Sequence, residues 1–295
     1  MKVTFWGVRG SIASPGPSTV RYGGNTTCIE IRTDDNDLLI LDAGTGLFPL
    51  SRTLAATHPV TSNILITHSH WDHIQGLPFF VPNFIEGNSL RLYGPPDPSS
   101  PKGIEHILDV QLQHNYFPVL ESEMKSRIDY VTLQPEQSVF VGSAKVTPHL
   151  MSHFVVTYGY RIEADGQSVF FTGDHEPPNV LFSPDHPNFD QHTEDGQRLR
   201  RNLMGAMSGI DVLIADCSFT SEEYPAKRGW GHGTFQSSID YAKQAGAKVL
   251  FCTHHEPTRT DDELEAVFAQ VLRDNPNQAG DPQYILAKEG YTFEW

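Results

Sequence analysis

Apolar runs of strand length recur along the whole chain, each closing on a turn residue or a polar one: Val3 to Val8, Leu38 to Leu41, Ile64 to Ile66, Leu90 to Tyr93, Val169 to Phe171, Val212 to Ala215 and Val249 to Cys252. Their length and β-branched content predict buried strands. Between them, helices are predicted over Gly103 to His114, Glu194 to Met207, Thr234 to Ala245 and Asp261 to Leu272, the last opened by Thr260 as its N-cap. From Ile128 to Phe171 hairpin-like alternation is broken at Gly142 and at Asp165-Gly166, where turn residues reverse the chain. Mixed β-sheets covered by helices follow, an α/β fold. The Pro-rich stretch from Gly94 to Pro101 reads as a surface loop rather than a linker, because strand and helix signals resume on both sides. One continuous domain over residues 1–295 is the simplest organisation.

Composition narrows the function classes. Hydrophobic residues make up 38% of the chain and charged ones only 19%, enough apolar surface to exclude disorder. Acidic side chains outnumber basic ones 36 to 21, a net charge of −15 that repels a polyphosphate backbone, so long nucleic acid is disfavoured as a partner. Cys28, Cys217 and Cys252 are too few and too scattered for a disulfide framework, which suits a reducing compartment. The N-terminus runs straight into a strand-like segment, and no run approaches the length of a membrane span. A cytoplasmic protein without membrane contact is expected.

Histidine changes the picture. Of 14 in the chain, three fall with an aspartate in Thr67-His68-Ser69-His70-Trp71-Asp72-His73, directly after the apolar run at Ile64. A single histidine in a surface turn needs no explanation. Four potential ligands within six residues, on a loop leaving a buried strand, can be divided between two adjacent metal ions, because zinc favours imidazole nitrogen and carboxylate oxygen.

This segment resembles the signature of the metallo-β-lactamase superfamily of metal-dependent hydrolases, and matching residues follow in order. Asp42 closes Leu38-Leu39-Ile40-Leu41, His153 precedes Tyr158-Gly159-Tyr160-Arg161-Ile162, Asp174 ends Phe170-Phe171-Thr172-Gly173-Asp174, and His254 follows Val249 to Thr253. The resemblance implies a four-layered αβ/βα sandwich with the site along one edge of its two sheets. It implies two divalent metal ions, zinc first and manganese or iron as alternatives, with His68, His70 and His153 on one, Asp72, His73 and His254 on the other, and Asp174 bridging both. A water between paired ions becomes hydroxide near neutral pH and serves as nucleophile. Asp42 lies outside the coordination sphere in this family and orients a ligand. Two positions stay open: His149 competes with His153, since i and i+4 share a strand face, and His255 competes with His254 or lies just behind it.

A second segment narrows the branch. Gly229-Trp230-Gly231-His232-Gly233-Thr234, followed by a helix and the last ligand strand, resembles ribonuclease Z and its phosphodiesterase relatives. Phosphodiester cleavage needs a proton for the departing alkoxide, and His232 is the candidate donor, with Asp72 as the second catalytic residue. Thr234 can cap the helix, and with that helix N-terminus it is a candidate phosphate contact. The Gly-rich segments around Arg9 and around Arg21 and Asn25 resemble the opening of a bacterial phosphodiesterase group, making these three candidate phosphate contacts, although such turns serve packing as readily. The aromatic stretch Leu77 to Phe84 and Tyr116-Phe117-Pro118 either walls a pocket or belongs to the core, and core is preferred for most of these rings. The expected function is hydrolysis of a small phosphodiester such as a cyclic nucleotide. The rivals are a ribonuclease Z-like transfer-RNA 3′ endonuclease, for which a basic arm is missing, and a thioester or lactam hydrolase, which has no use for His232. The expected partner is a small anionic substrate; a homodimer is compatible with the sequence.

Overall fold

The computed structural model describes residues 1–178 and 189–295, with side chains from 193 onward in the second stretch. In the first half of the chain, β1 (Lys2–Gly7), β2 (Cys28–Arg32), β3 (Leu38–Leu41), β4 (Thr61–Leu65), β5 (Ser89–Gly94) and β6 (Arg127–Thr132) lie side by side. In the second half, β7 (Val139–Val141), β8 (Ala144–Leu150), β9 (Tyr158–Ala164), β10 (Gln167–Phe171), β11 (Val212–Asp216), β12 (Val249–Thr253) and β13 (Gln283–Leu286) form another sheet. The chain end then returns as β14 (Thr292–Glu294) to pair antiparallel with β1, completing two seven-stranded sheets. Both are mixed, as expected: β3 to β6 and β10 to β13 run parallel, while β1 to β3 and β7 to β10 are antiparallel.

Period-two alternation explains how the sheets stack. Leu39 and Leu41 of β3 meet Val169, Phe171, Ile214 and Phe251 in the core between the sheets. Leu38 and Ile40 point the other way, against α1 (Leu47–Ala55) and α3 (Ile104–Gln111). On the far side, Leu213, Ala215, Leu250 and Cys252 pack under α4 (Phe189–Met207), α6 (Phe235–Ala245) and α7 (Asp261–Asp274). Helices, sheet, sheet, helices: the four layers are those the resemblance implies. Strands buried on both faces read as continuous apolar runs, which is why β3, β11 and β12 stand out in the sequence. Two short helices, α2 (Trp71–Ile74) and α5 (Tyr224–Lys227), complete the set that matters for the site. No described helix is long and apolar enough to cross a membrane.

Local chemistry sets the boundaries. Thr260 caps α7 by accepting from Glu263 N–H, and Thr234 caps α6 by accepting from Ser237 N–H at 3.0 Å. Asp165 and Gly166 both take left-handed φ, as the two-residue hairpin between β9 and β10 requires. Gly142 does the same between β7 and β8. The segment after β5 is the loop expected from its prolines. The short strands β2, β13 and β14 were not marked by continuous apolar runs; β2 alternates buried and half-buried residues instead.

Candidate metal centre

The carboxyl-terminal ends of β3, β4, β10, β11 and β12 converge, and each delivers a polar residue where its apolar run stops. Asp42 follows β3 with φ of 60°, His254 follows β12 with φ of 58°, and Gly173, at 57°, turns the chain so that Asp174 follows β10. A left-handed aspartate and histidine are uncommon, and sites that must aim a side chain are where such backbone persists. After β4, Thr67 anchors the loop by donating N–H to Asp42 Oδ1 at 2.7 Å. The single turn of α2 buries Asp72 and His73 and leaves Trp71 in solvent.

Two ligand sets form around one carboxylate. His68, His70, His153 and Asp174 make the first, and Asp72, His73, His254 and Asp174 the second, each with its ligand atoms within 4.8 Å of one another. Asp174 divides its oxygens: Oδ2 lies 3.5 Å from His68 Nε2 and 3.8 Å from His153 Nε2, whereas Oδ1 lies 3.1 Å from both His73 Nε2 and His254 Nε2. Asp72 Oδ2 stands 3.3 Å from each of the latter two nitrogens. His68 Nε2, His73 Nε2 and Asp174 Oδ1 are buried without a hydrogen-bond partner. Three orphaned buried ligand atoms converging between imidazoles and carboxylates are what a pair of divalent cations satisfies, so the residues fit the implied metals. Burial lowers the His68 imidazole well below its usual range, and the surrounding histidines add to that, which favours the neutral form a metal needs. His73 goes the other way: burial opposes protonation, but Asp174, Asp72 and Asp42 raise its pKa well above the usual range, a negative surrounding that suits a cation.

Outer partners fix the ring orientations. His73 Nδ1 donates to Asp42 Oδ2 at 2.7 Å, His153 Nδ1 donates to Gly231 O at 2.9 Å, and Thr67 Oγ1 lies 3.0 Å from His68 Nδ1. Each leaves Nε2 for the centre. His254 Nδ1 lies 3.0 Å from Ser218 Oγ, whose hydroxyl donates to Asp216 Oδ1 at 2.7 Å. The other Asp216 oxygen accepts from His232 Nδ1 at 2.9 Å. Burial depresses the His232 imidazole, yet Asp216 and Asp174 outweigh it and raise the pKa to about 9. Burial also pushes Asp72 up, but His73 and His254 prevail and hold its carboxyl well below the usual range; Ser11 N–H donates to it at 2.7 Å. A third grouping of Asp174, Asp216, His232 and His254 reuses two ligands and rests on a His232 nitrogen already bound to Asp216, so it reads as a hydrogen-bond network.

Several expected residues lie elsewhere. His149, in β8, packs against Phe170 of β10 outside both sets, whereas His153 joins the first. His255 lies outside both ligand sets, and its Nε2 donates to Ala287 O at 2.8 Å. Arg9, expected on phosphate, is fully buried; its guanidinium donates to Gly23 O and Arg259 O and pairs with Asp261, because a cation this deep needs acceptors on every side. Arg21 pairs with Asp262 and Glu265, and Asn25 with Glu289. These three are structural, and Thr234 Oγ1 is engaged in capping. Sequence reasoning missed Asp216, Ser218 and Glu176. Glu176 is buried and accepts from Gly229 N–H and Gly231 N–H, both at 2.8 Å, which shapes the loop carrying His232. Asp216 had the same signal as Asp42 and Asp174, an aspartate closing an apolar strand.

Comparison with known proteins agrees with the fold. The family model described as Beta-lactamase superfamily domain matches residues 38–255. A ribonuclease Z of Haloarcula marismortui is 24% identical, spanning 98% of this chain and 95% of that protein. The metallo-β-lactamase fold protein YhfI from Bacillus subtilis superposes with a TM-score of 0.65 at 21% identity, over 99% of each chain. The short form of human tRNase Z superposes with a TM-score of 0.62 at 18% identity, over 100% of this chain and 99% of that one.

Proposed function

The chain belongs to the beta-lactamase superfamily domain family, and from that premise we propose that it is a two-metal phosphodiesterase acting on a small phosphodiester such as a cyclic nucleotide. His68, His70 and His153 would hold one divalent ion, Asp72, His73 and His254 the other, and Asp174 both. Imidazole-rich sets favour zinc, with manganese and iron as alternatives. When bound, such ions supply Lewis acidity at phosphorus and lower the pKa of the attacking water.

The residues of the chain do the rest. Asp72, fixed by Ser11 N–H, orients the attacking water on the side of His73 and His254. His232 is the proton donor: Asp216 accepts from Nδ1 at 2.9 Å, fixing the ring and raising its pKa, so that Nε2 can deliver a proton to the departing oxygen. The observation that carries the reading is the placing of this imidazole, paired with Asp216 at 2.9 Å and 3.8 Å from Asp174, the carboxylate common to both ligand sets. Lactam or thioester hydrolysis has less need of it.

A second reading, a transfer-RNA 3′ endonuclease, is favoured by the near full-length similarity to a ribonuclease Z. Against it stands the net charge of −15, which opposes a long polyanion but not a small anion drawn to a local cation pair. Metal-loaded protein assayed on cyclic mononucleotides, bis(p-nitrophenyl) phosphate, precursor transfer RNA and a thioester separates the readings. Faster turnover of the small diesters is the expected outcome; preferential cleavage of the RNA with steep salt dependence would replace the first reading by the second.

A further inference from the structure

The two residues after Asp174 are tied to the segment that carries His153. Ser152 N–H donates to His175 Nδ1 at 3.2 Å, and Glu176 N–H donates to Ser152 O at 3.0 Å. The Glu176 side chain, 7% exposed, reaches the arm that joins β11 to α6. Its Oε2 accepts from Gly231 N–H at 2.8 Å, and its Oε1 accepts from Gly229 N–H at 2.8 Å and from the Tyr224 hydroxyl at 2.6 Å. Gly231 then closes a ring of contacts, because its carbonyl accepts from His153 Nδ1 at 2.9 Å. Glu176 thus meets one ligand of the first set by two routes, through its own backbone and through the arm.

The arm needs such an anchor. Residues 221–230 are all exposed or half-buried, so burial does not hold them. Arg259 grips the beginning of the arm through Glu223 at 2.7 Å. At its end Gly229 and Gly231 take left-handed φ of 80° and 86°, and a Cβ on Gly231 would overlap the His153 ring. The backbone therefore lies directly on this imidazole, which ties the place of His232, the next residue, to that of His153. A carboxylate suits the junction because both N–H groups and the hydroxyl donate to it; an amide of the same shape would set N–H against N–H.

We propose that Glu176 is a positioning residue that clamps the arm onto His153, so that one carboxylate sets both the orientation of a metal ligand and the place of the acid His232. The link to His232 rests on the phosphodiesterase reading; the link to His153 does not.

The test of the His153 link is a cycle on metal affinity, read by competition with a chromophoric chelator. Glu176→Gln is expected to weaken the ion held with His153 about tenfold, as when a partner that orients a ligand is lost. His153→Ala should keep the ion of the second set, and adding Glu176→Gln to it should change that affinity by less than about twofold. Equal weakening in both backgrounds would make Glu176 a general support of the fold, and no weakening in either would deny the clamp; each overturns the proposal. Gly231→Ala disturbs the arm from its other end and should reproduce the selective loss, which keeps the test open if Glu176→Gln does not fold.

Turnover at saturating metal tests the link to His232. A cyclic nucleotide releases an alkoxide that needs a proton, whereas p-nitrophenoxide departs from bis(p-nitrophenyl) phosphate without one. Glu176→Gln should lose about tenfold or more in kcat on the first substrate and far less on the second, as should His232→Ala. Equal losses on the two diesters in Glu176→Gln, beside unequal losses in His232→Ala, would overturn this link. If no phosphodiester is hydrolysed, or if His232→Ala shows no such split, the phosphodiesterase reading or its acid fails, and the metal cycle alone decides the clamp. If diesters are hydrolysed and Glu176→Gln matches wild type in metal affinity and in leaving-group dependence, the clamp is overturned and that reading survives.

Discussion

Asp216, at the end of β11, and His232, sixteen residues on, form a pair: Oδ2 of the aspartate accepts the Nδ1 proton of the histidine at 2.9 Å. Through Ser218 the same carboxylate reaches His254, so one side chain steadies both the proposed acid and a ligand of the second set.

Asp216→Asn keeps the shape and removes the charge. Without it the His232 imidazole loses the main force that raises its pKa against burial. Phosphodiester turnover is expected to fall about 100-fold, the scale of a lost general acid, with the alkaline limb of kcat/KM displaced to lower pH. An undisplaced limb would show that Asp216 acts on geometry alone.

Asp42→Ala removes the acceptor that orients His73. Losing such a partner typically weakens metal binding by about 10- to 100-fold. Competition with a chromophoric chelator measures it; affinity equal to wild type would remove Asp42 from the centre.

Gly10 has room for nothing larger, since a Cβ there would overlap the His254 ring. Gly10→Ala is therefore expected to displace His254 and lower the occupancy of the second set while sparing the first. Metal analysis after dialysis should find about one ion retained where wild type, on the two-metal reading, retains two.

His255 is buried, and desolvation with nearby Arg9 and Arg259 lowers its pKa to about 3, against 6.5 in the unfolded chain. Below 6.5 the unfolded chain takes up a proton that the fold refuses, so this residue subtracts stability increasingly as pH falls toward 3. His255→Gln, which can still donate to Ala287 O, should lose less thermal stability than wild type between pH 6.5 and 4. A difference between the two proteins that is constant with pH would contradict this.

How much of this was legible depends on how local each signal is. β3, β11 and β12 are buried on both faces and show as unbroken apolar runs, and Thr260 lies within four residues of the Glu263 it caps. The histidine cluster is equally local, because six residues hold four donors. Arg9 was misread for the opposite reason. Its partner Asp261 is 252 residues away, and a Gly-rich loop looks the same whether the arginine meets phosphate or a buried carboxylate. The choice between His254 and His255 likewise turns on one left-handed φ at His254, which no composition reveals. Phe79 and Phe80 are adjacent aromatics with opposite fates, decided by a short 3₁₀ turn that sends one ring out and the other into the core.

The ligand sets also divide the molecule unequally: His68, His70, Asp72 and His73 hang from the first sheet, His153, Asp174 and His254 from the second. Neither half of the chain can assemble either set alone. The centre is thus a clasp across a seam, closed only when two separately wound halves have come into register. An ion seated there attests that the later half of the chain has found the earlier one.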